Sequence, residues 1–259
     1  MNNRMENPSK GFVIVATQKI QFLIGASNLA QSILDHYEDA KITLFTEQKW
    51  IDDPKYHSHF QDLDQVIATP GSHIREKMWC MANTPYDLTF YIDADCEVVH
   101  TDIEKSFDRL KDQDMVFVEL TRETKGHFTD WDWGNGELDH LTHCGGICLY
   151  DSRNPLVVDF MSDWYYNFKN QKQGNFEPTE YMHIPHQYRT WDQLTLWYQL
   201  WHDPKYKSIK WKYFEDNYRW NYYTSFGFNK DGTHNYGVVD PVILHYSSWM
   251  DKDGSKGVN

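Results

Sequence analysis

The chain has 259 residues, 40% hydrophobic and 24% charged, a globular composition long enough for a full core. Its net charge is −13 with thinly spread Lys and Arg. The sequence therefore advertises no basic face of a general nucleic-acid binder and gives no support to a polybasic membrane patch. Four cysteines, Cys80, Cys96, Cys144 and Cys148, make no CxxC pair, so the tetrahedral zinc spacings are missing. They read as reduced, small apolar residues of an intracellular protein.

The N-terminus, MNNRMENPSKG, lacks the apolar core of a signal peptide. No apolar run reaches membrane-spanning length. The expectation is a cytoplasmic protein with no transmembrane segment. Residues 12–16, FVIVA, then read as a strand buried on both faces. Ala26, Leu29, Ala30, Ile33 and Tyr37 recur at helical spacing, and KITLFT follows as a second strand, completing a βαβ unit. Residues 64–69 are predicted as a third strand before a Pro-Gly turn. Ser72 is expected to cap a helix in which Ile74, Met78 and Met81 share one face.

LTFYI, Leu88 to Ile92, is the next buried strand and runs straight into Asp93. A short helix is predicted over 103–111, then the strand MVFVEL. Residues 11–120 therefore alternate strand and helix, and should form a doubly wound, mostly parallel α/β sheet of Rossmann type. Ligands bind such sheets beyond the carboxyl ends of the strands. Residues 121–141 show no period and are rich in Gly, Trp and acids. They are expected to be a mobile loop that orders over a ligand. GGICLY is a further strand, 155–168 a helix, and 170–189 irregular. A helix opens near Thr190, and the strand VVDPVILHYSSWM stops at His245. No linker marks a domain boundary, so one domain spans 1–259, with the regular half at 11–120 and the less regular half at 121–259.

Asp93-Ala94-Asp95 is the strongest candidate site. On an extended segment, side chains at i and i+2 share a face. Two carboxylates so placed suit one hard cation, Mn²⁺ or Mg²⁺, which also accepts phosphate oxygens. A solvated turn is the plain alternative. His245 is either a hydrogen-bonded structural residue or the imidazole that completes an Asp-Asp-His set. Asp192 and Gln193 open a helix. Thr190 and Gln193 fit a capping box and Asp192 suits the helix dipole; the alternative is that the Asp192 carboxylate and the Gln193 amide contact a ligand. Arg75 and Lys77 are candidates to neutralise phosphate. On a regular helix they lie roughly 200° apart, so one phosphate is not easily met by both. As a solvated surface charge, either one alone is unremarkable. Gly145-Gly146 would allow close backbone approach. Aromatic residues make up 16% of the chain, and Trp131, Trp133, His183, His186 and Tyr188 are candidates for an acceptor wall.

The segment YIDADCEV, after a helix carrying REK, resembles the donor-binding core of GT-A glycosyltransferases, which use nucleotide sugars. HCGGICLYDSR resembles the Gly-rich strand that follows the D-x-D motif in that family. TWDQLTLW is similar to the D-Q helix start of the retaining galactosyltransferase and glycogenin-like group. VILHYSSW resembles that group's late strand. The four landmarks keep the family's order across residues 12–249. The resemblance implies a single GT-A domain over 1–259, with a nucleotide-sugar-binding half at 11–120 and an acceptor-binding half at 121–259, and a UDP-linked hexose donor, with retention at the anomeric carbon. It further implies donor contacts from the first loop (Ala16, Thr17, Phe22), Arg75, Lys77, Asp93, Ala94, Asp95, Gly145 and Gly146. Asp93, Asp95 and His245 would be the metal ligands, and Asp192 and Gln193 the residues at the reacting sugar. The acceptor is left open among a glycan, a lipid, a protein or a modified nucleic-acid base. A nucleotidyltransferase that makes sugar nucleotides is the enzymatic rival, although ATQKIQF lacks the glycines its first loop needs. An inactive carbohydrate-binding relative is the other.

Overall fold

The computed structural model describes residues 7–119, 143–173, 175, 192–224 and 240–246. The expected loop 121–141, Thr190, and the proposed acceptor residues Trp131, Trp133, His183, His186 and Tyr188 lie outside the described residues.

Ten strands are described: β1 (Lys10–Ala16), β2 (Ile42–Thr46), β3 (Gln65–Ala68), β4 (Leu88–Ile92), β5 (Cys96–Val98), β6 (Met115–Glu119), β7 (His143–Asp151), β8 (Trp211–Tyr213), β9 (Tyr222–Tyr223) and β10 (Ile243–His245). The helices are α1 (Ile20–His36), α2 (Gln48–Ile51), α3 (Lys77–Ala82), α4 (Pro155–Gln173), α5 (Asp192–Trp201) and α6 (Asn217–Trp220). Seven strands form one sheet in the order β3-β2-β1-β4-β7-β6-β8. Its pairings are parallel except those of β7, which runs antiparallel to both β4 and β6.

The continuous apolar runs follow from burial on both faces. Alternate residues of β1 divide between two cores. Phe12 and Ile14 pack with Leu23, Leu29 and Ile33 of α1, while Val13 and Val15 pack with Met78 and Met81 of α3 and Trp164 of α4. Each such large side chain contributes about 1.5–3 kcal/mol when fully buried.

Three local expectations change. The helix predicted over 103–111 is a 3-10 run, Thr101–Leu110, capped by His100, whose Nδ1 accepts from the Asp102 N–H at 3.0 Å. Ser72 is not a cap. A 3-10 turn, Ile74–Glu76, precedes α3, so the cap falls at His73, whose Nδ1 accepts from the Arg75 N–H at 3.1 Å. The late strand is only three residues long and leaves the main sheet. β10 joins a second sheet, antiparallel to β5 and parallel to β9. All four cysteines are free and buried. Among the described residues, no helix is long and apolar enough to cross a membrane.

Candidate active site

β1 pairs with β2 on one side and β4 on the other, and the chain visits the β2 side first. The carboxyl ends of β1 and β4 therefore flank the point where strand order reverses, where doubly wound sheets bind ligands. A cleft of about 270 Å³ opens there, lined from the β1 end by Val15, Thr17 and Phe22 and from the β4 end by Tyr91, Asp93, Ala94 and Asp95. Ile74, Arg75 and Lys77 complete the wall. Ala16 is fully buried within β1 and is not among these residues.

The D-x-D segment is a turn, not an extended strand. Cys96 N–H donates to the Asp93 carbonyl at 3.1 Å, so the two carboxylates diverge instead of sharing a face. Asp93 points toward Lys77, whose Nζ is 3.4 Å from both carboxylate oxygens, and it accepts from the Tyr91 hydroxyl. Asp95 points the other way, with Oδ1 3.4 Å from Nε2 of His245. Asp95, Cys96 and His245 form the group of potential metal donors among the described residues, with donor atoms within 4.8 Å of one another. Cys96 was not anticipated as a member. It lies directly opposite His245 in the β5–β10 pairing, a relationship that appears only once β5 and β10 are known to be neighbours.

Arg75 and Lys77 do meet one target. The helix begins only at Lys77, and the 3-10 turn before it swings Arg75 round. Arg75 Nη1 is 3.0 Å and Lys77 Nζ 3.5 Å from the Asp192 carboxylate. Lys77 is buried, not a solvated surface charge, and Asp192 is completely buried at the start of α5. Burial opposes the charge on Lys77, but Asp93 and Asp192 outweigh it and hold the ammonium above its ordinary pKa. Burial likewise opposes ionisation of Asp192, and Arg75 and Lys77 outweigh it, so this carboxyl titrates below the usual range. The Asp192 oxygens make these ion pairs without a well-formed hydrogen bond among the described residues. The Gln193 side-chain oxygen is buried and similarly unpartnered there. The α5 start is fixed from behind, where Trp164 Nε1 donates to the Asp192 carbonyl at 2.8 Å.

The two glycines explain how both carboxylates fit. Between Phe117 and Val118 the β6–β7 register jumps from Cys148 to Cys144, so Gly145 and Gly146 sit in a bulge. A Cβ on Gly146 would lie 2.5 Å from Asp93 Oδ2, and one on Gly145 would lie 3.2 Å from Asp192 Oδ2. Asp93 is further pinned by its N–H, which donates to the Gly146 carbonyl at 2.7 Å.

One supporting residue escaped the sequence reading. The first loop has no acidic side chain of its own, but Glu47, just past β2, reaches it. Glu47 Oε1 accepts from the Gln18 N–H at 2.6 Å. Gln18 has φ 73°, which a non-glycine residue adopts only when its surroundings hold it there. An acid immediately after a buried strand, beside the first βα loop, was the available signal.

No family model matches the chain, and no curated protein sequence is similar to it. Solved structures do share its fold. The glycosyltransferase GlyE of Streptococcus pneumoniae TIGR4 superposes with a TM-score of 0.57 at 15% identity, covering 94% of this chain and 56% of GlyE. The bifunctional glycosyltransferase WbbM gives 0.55 at 12% identity, covering 95% of this chain and 47% of WbbM. The chain thus spans about half the length of those two. The galactosyltransferase LgtC, in complex with donor and acceptor sugar analogues, gives 0.53 at 12% identity over 93% of this chain and 88% of LgtC. The mixed α/β architecture with its mostly parallel central sheet is the one these glycosyltransferases share.

Proposed function

We propose that the chain is a metal-dependent glycosyltransferase that moves a hexose from a UDP-linked donor to an acceptor hydroxyl, with retention. One observation carries the reading. Asp93, Asp95, His245, Arg75, Lys77 and Asp192 converge beside the carboxyl ends of β1 and β4, in a fold shared with sugar transferases. Three carboxylates against two permanent cations leave the cluster one charge negative. A divalent cation reverses that sign and makes the cleft attractive to a diphosphate.

The donors that lie together fit such a cation: the Asp95 carboxylate and the His245 imidazole are oxygen and nitrogen ligands suited to Mn²⁺, less selectively to Mg²⁺. Asp95 and His245 would hold it, and Asp93 would join them on turning its carboxylate from Lys77. When bound, the metal supplies Lewis-acid stabilisation of the leaving nucleotide diphosphate. Arg75 is about a quarter exposed and is the cation that would turn from Asp192 toward phosphate; Lys77 is buried and stays as fixed positive charge. The first loop, held by Glu47, presents Thr17 to the nucleoside, and the first turn of α1 presents Phe22. Asp192 and Gln193 keep acceptor capacity that sugar hydroxyls can satisfy. The acidic charge of the chain favours a glycan, lipid or protein acceptor over a nucleic acid.

Donor hydrolysis across a panel of nucleotide sugars with Mn²⁺ tests the reading. The wild type should release UDP from one or two hexose donors, and Asp95→Ala should release none above blank. Equal release by both proteins, or release without any metal, defeats the proposal.

A further inference from the structure

We propose that Asn221 is the positioning residue that decides which nitrogen of His245 faces the cation. This rests on reading His245 as a metal ligand. The His245 ring is 5% exposed and stacks on Tyr223, with centroids 4.4 Å apart and planes at 20°. Its backbone is fixed on both sides, paired with Cys96 in β5 and with Tyr223 in β9. The ring therefore has one orientation, in which Nδ1 faces Asn221 and Nε2 faces Asp95 among the described residues.

Nδ1 lies 2.8 Å from Oδ1 of Asn221, which is completely buried. An amide oxygen only accepts, so the proton sits on Nδ1. In the neutral ring Nε2 is then a bare lone pair, and it points at Asp95 Oδ1, 3.4 Å away. Two acceptors face each other in a nearly dry site. That arrangement is unfavourable unless positive charge lies between them. The same logic, an outer hydrogen bond fixing tautomer and ring orientation, governs imidazoles that bind metals.

Asn221 is itself held in place. Its N–H closes α6 by donating to the Asn217 carbonyl at 3.1 Å. Arg219, two residues earlier, anchors the approach to β10: its carbonyl accepts from the Val242 N–H at 2.6 Å, and its Nε donates to the Asp240 carbonyl at 2.7 Å. The opposite amide orientation would place a donor on Nδ1 and a proton on Nε2, hydrogen-bonded to Asp95. That state closes the site to a cation, so Asn221 selects between an open and a closed site.

Two measurements on the full chain test this. Long-range ¹H–¹⁵N correlation of histidine-labelled protein, with His245 assigned from the spectrum of His245→Gln, should show Nδ1 protonated and Nε2 bare. Mn²⁺ binding, followed by electron paramagnetic resonance with UDP against a protein-free UDP blank, should weaken about tenfold or more in Asn221→Leu. Asn221→Asp, which keeps an acceptor, should stay within about threefold of wild type by the same reasoning. A proton on Nε2 in the wild type overturns the proposal even if Asn221→Leu fails to fold. So does an Asn221→Leu protein that binds Mn²⁺ like the wild type. A wild type that binds no Mn²⁺ with UDP, yet keeps its proton on Nδ1, defeats the cation reading itself, a result distinct from the other two.

Discussion

Lys77 Nζ stands 3.5 Å from Asp192 Oδ2, and both side chains are buried. The same ammonium lies 3.4 Å from Asp93, so one lysine joins the strand-end carboxylate to the helix-start carboxylate. Removing it leaves both acids without their shared partner. Lys77→Met should cost about 3 kcal/mol, in the range for a broken buried pair. The pH profile offers a second readout. Asp192 is depressed in the folded state, so its contribution is present above the ordinary carboxylate range and is lost as pH falls through the depressed value. Denaturant titrations between about pH 5 and 2 should therefore show a shallower fall in stability for Lys77→Met than for wild type. Parallel curves would mean that Lys77 does not set the Asp192 titration.

The glycine bulge makes a graded prediction. Gly146→Ala pushes a methyl to 2.5 Å from Asp93, whereas Gly145→Ala brings one to 3.2 Å from Asp192 and Trp164, a tight contact that a shift of a few tenths of an ångström relieves. Gly146→Ala should lose about 1–3 kcal/mol of stability and most of the donor hydrolysis. Gly145→Ala should lose less of both. Thermal melts and UDP-release rates on the pair give the order, and a reversed order contradicts the geometry.

Cation and nucleotide should bind cooperatively. A site that is net negative and offers few protein donors leaves coordination positions for phosphate oxygens. Calorimetric affinity for Mn²⁺ should rise at least about tenfold when UDP is present, and by linkage the reverse should hold equally. Asp95→Asn should abolish the coupling and leave the melting temperature near wild type. Tight Mn²⁺ binding indifferent to UDP counts against the assignment.

Glu47 should act on donor affinity through the loop it holds. Losing the acceptor for Gln18 N–H removes a hydrogen bond to a charged group, about 1.5 kcal/mol, or roughly tenfold in UDP binding. Glu47→Ala should show that loss while Glu47→Gln, which keeps an acceptor oxygen, stays close to wild type. If both variants bind UDP equally well, the loop does not depend on this contact.

The parallel half of the fold was legible because doubly buried strands announce themselves: FVIVA and LTFYI carry no polar interruption, and the helix after the first strand repeats its apolar face. Asp93 and Asp95 could be placed at the cleft for the same reason, since they end such a strand. Their divergence could not be foreseen. It depends on a turn closed by Cys96 N–H, and a D-x-D triplet fits a turn as readily as a strand. The meeting of Arg75 and Lys77 on Asp192 was hidden by the assumption of a regular helix, which a 3-10 start breaks. The small sheet gave no signal because strands of two or three residues are too short to show a period. Asn221 was invisible for that reason: its importance comes from His245, which reaches it only through β9 and β10.

That small sheet has a consequence for how the protein becomes active. Asp95 belongs to a turn laid down early in synthesis, yet its imidazole neighbour arrives on β10, after every strand of the large sheet has been made. A nascent or partly unfolded chain can possess every strand of the large sheet and still lack half of the cation pocket. On the proposed function, ligand capture would be confined to chains that have finished folding. In turn, captured cation and nucleotide would draw the equilibrium toward that finished state by mass action, binding the two sheets into one cooperative unit.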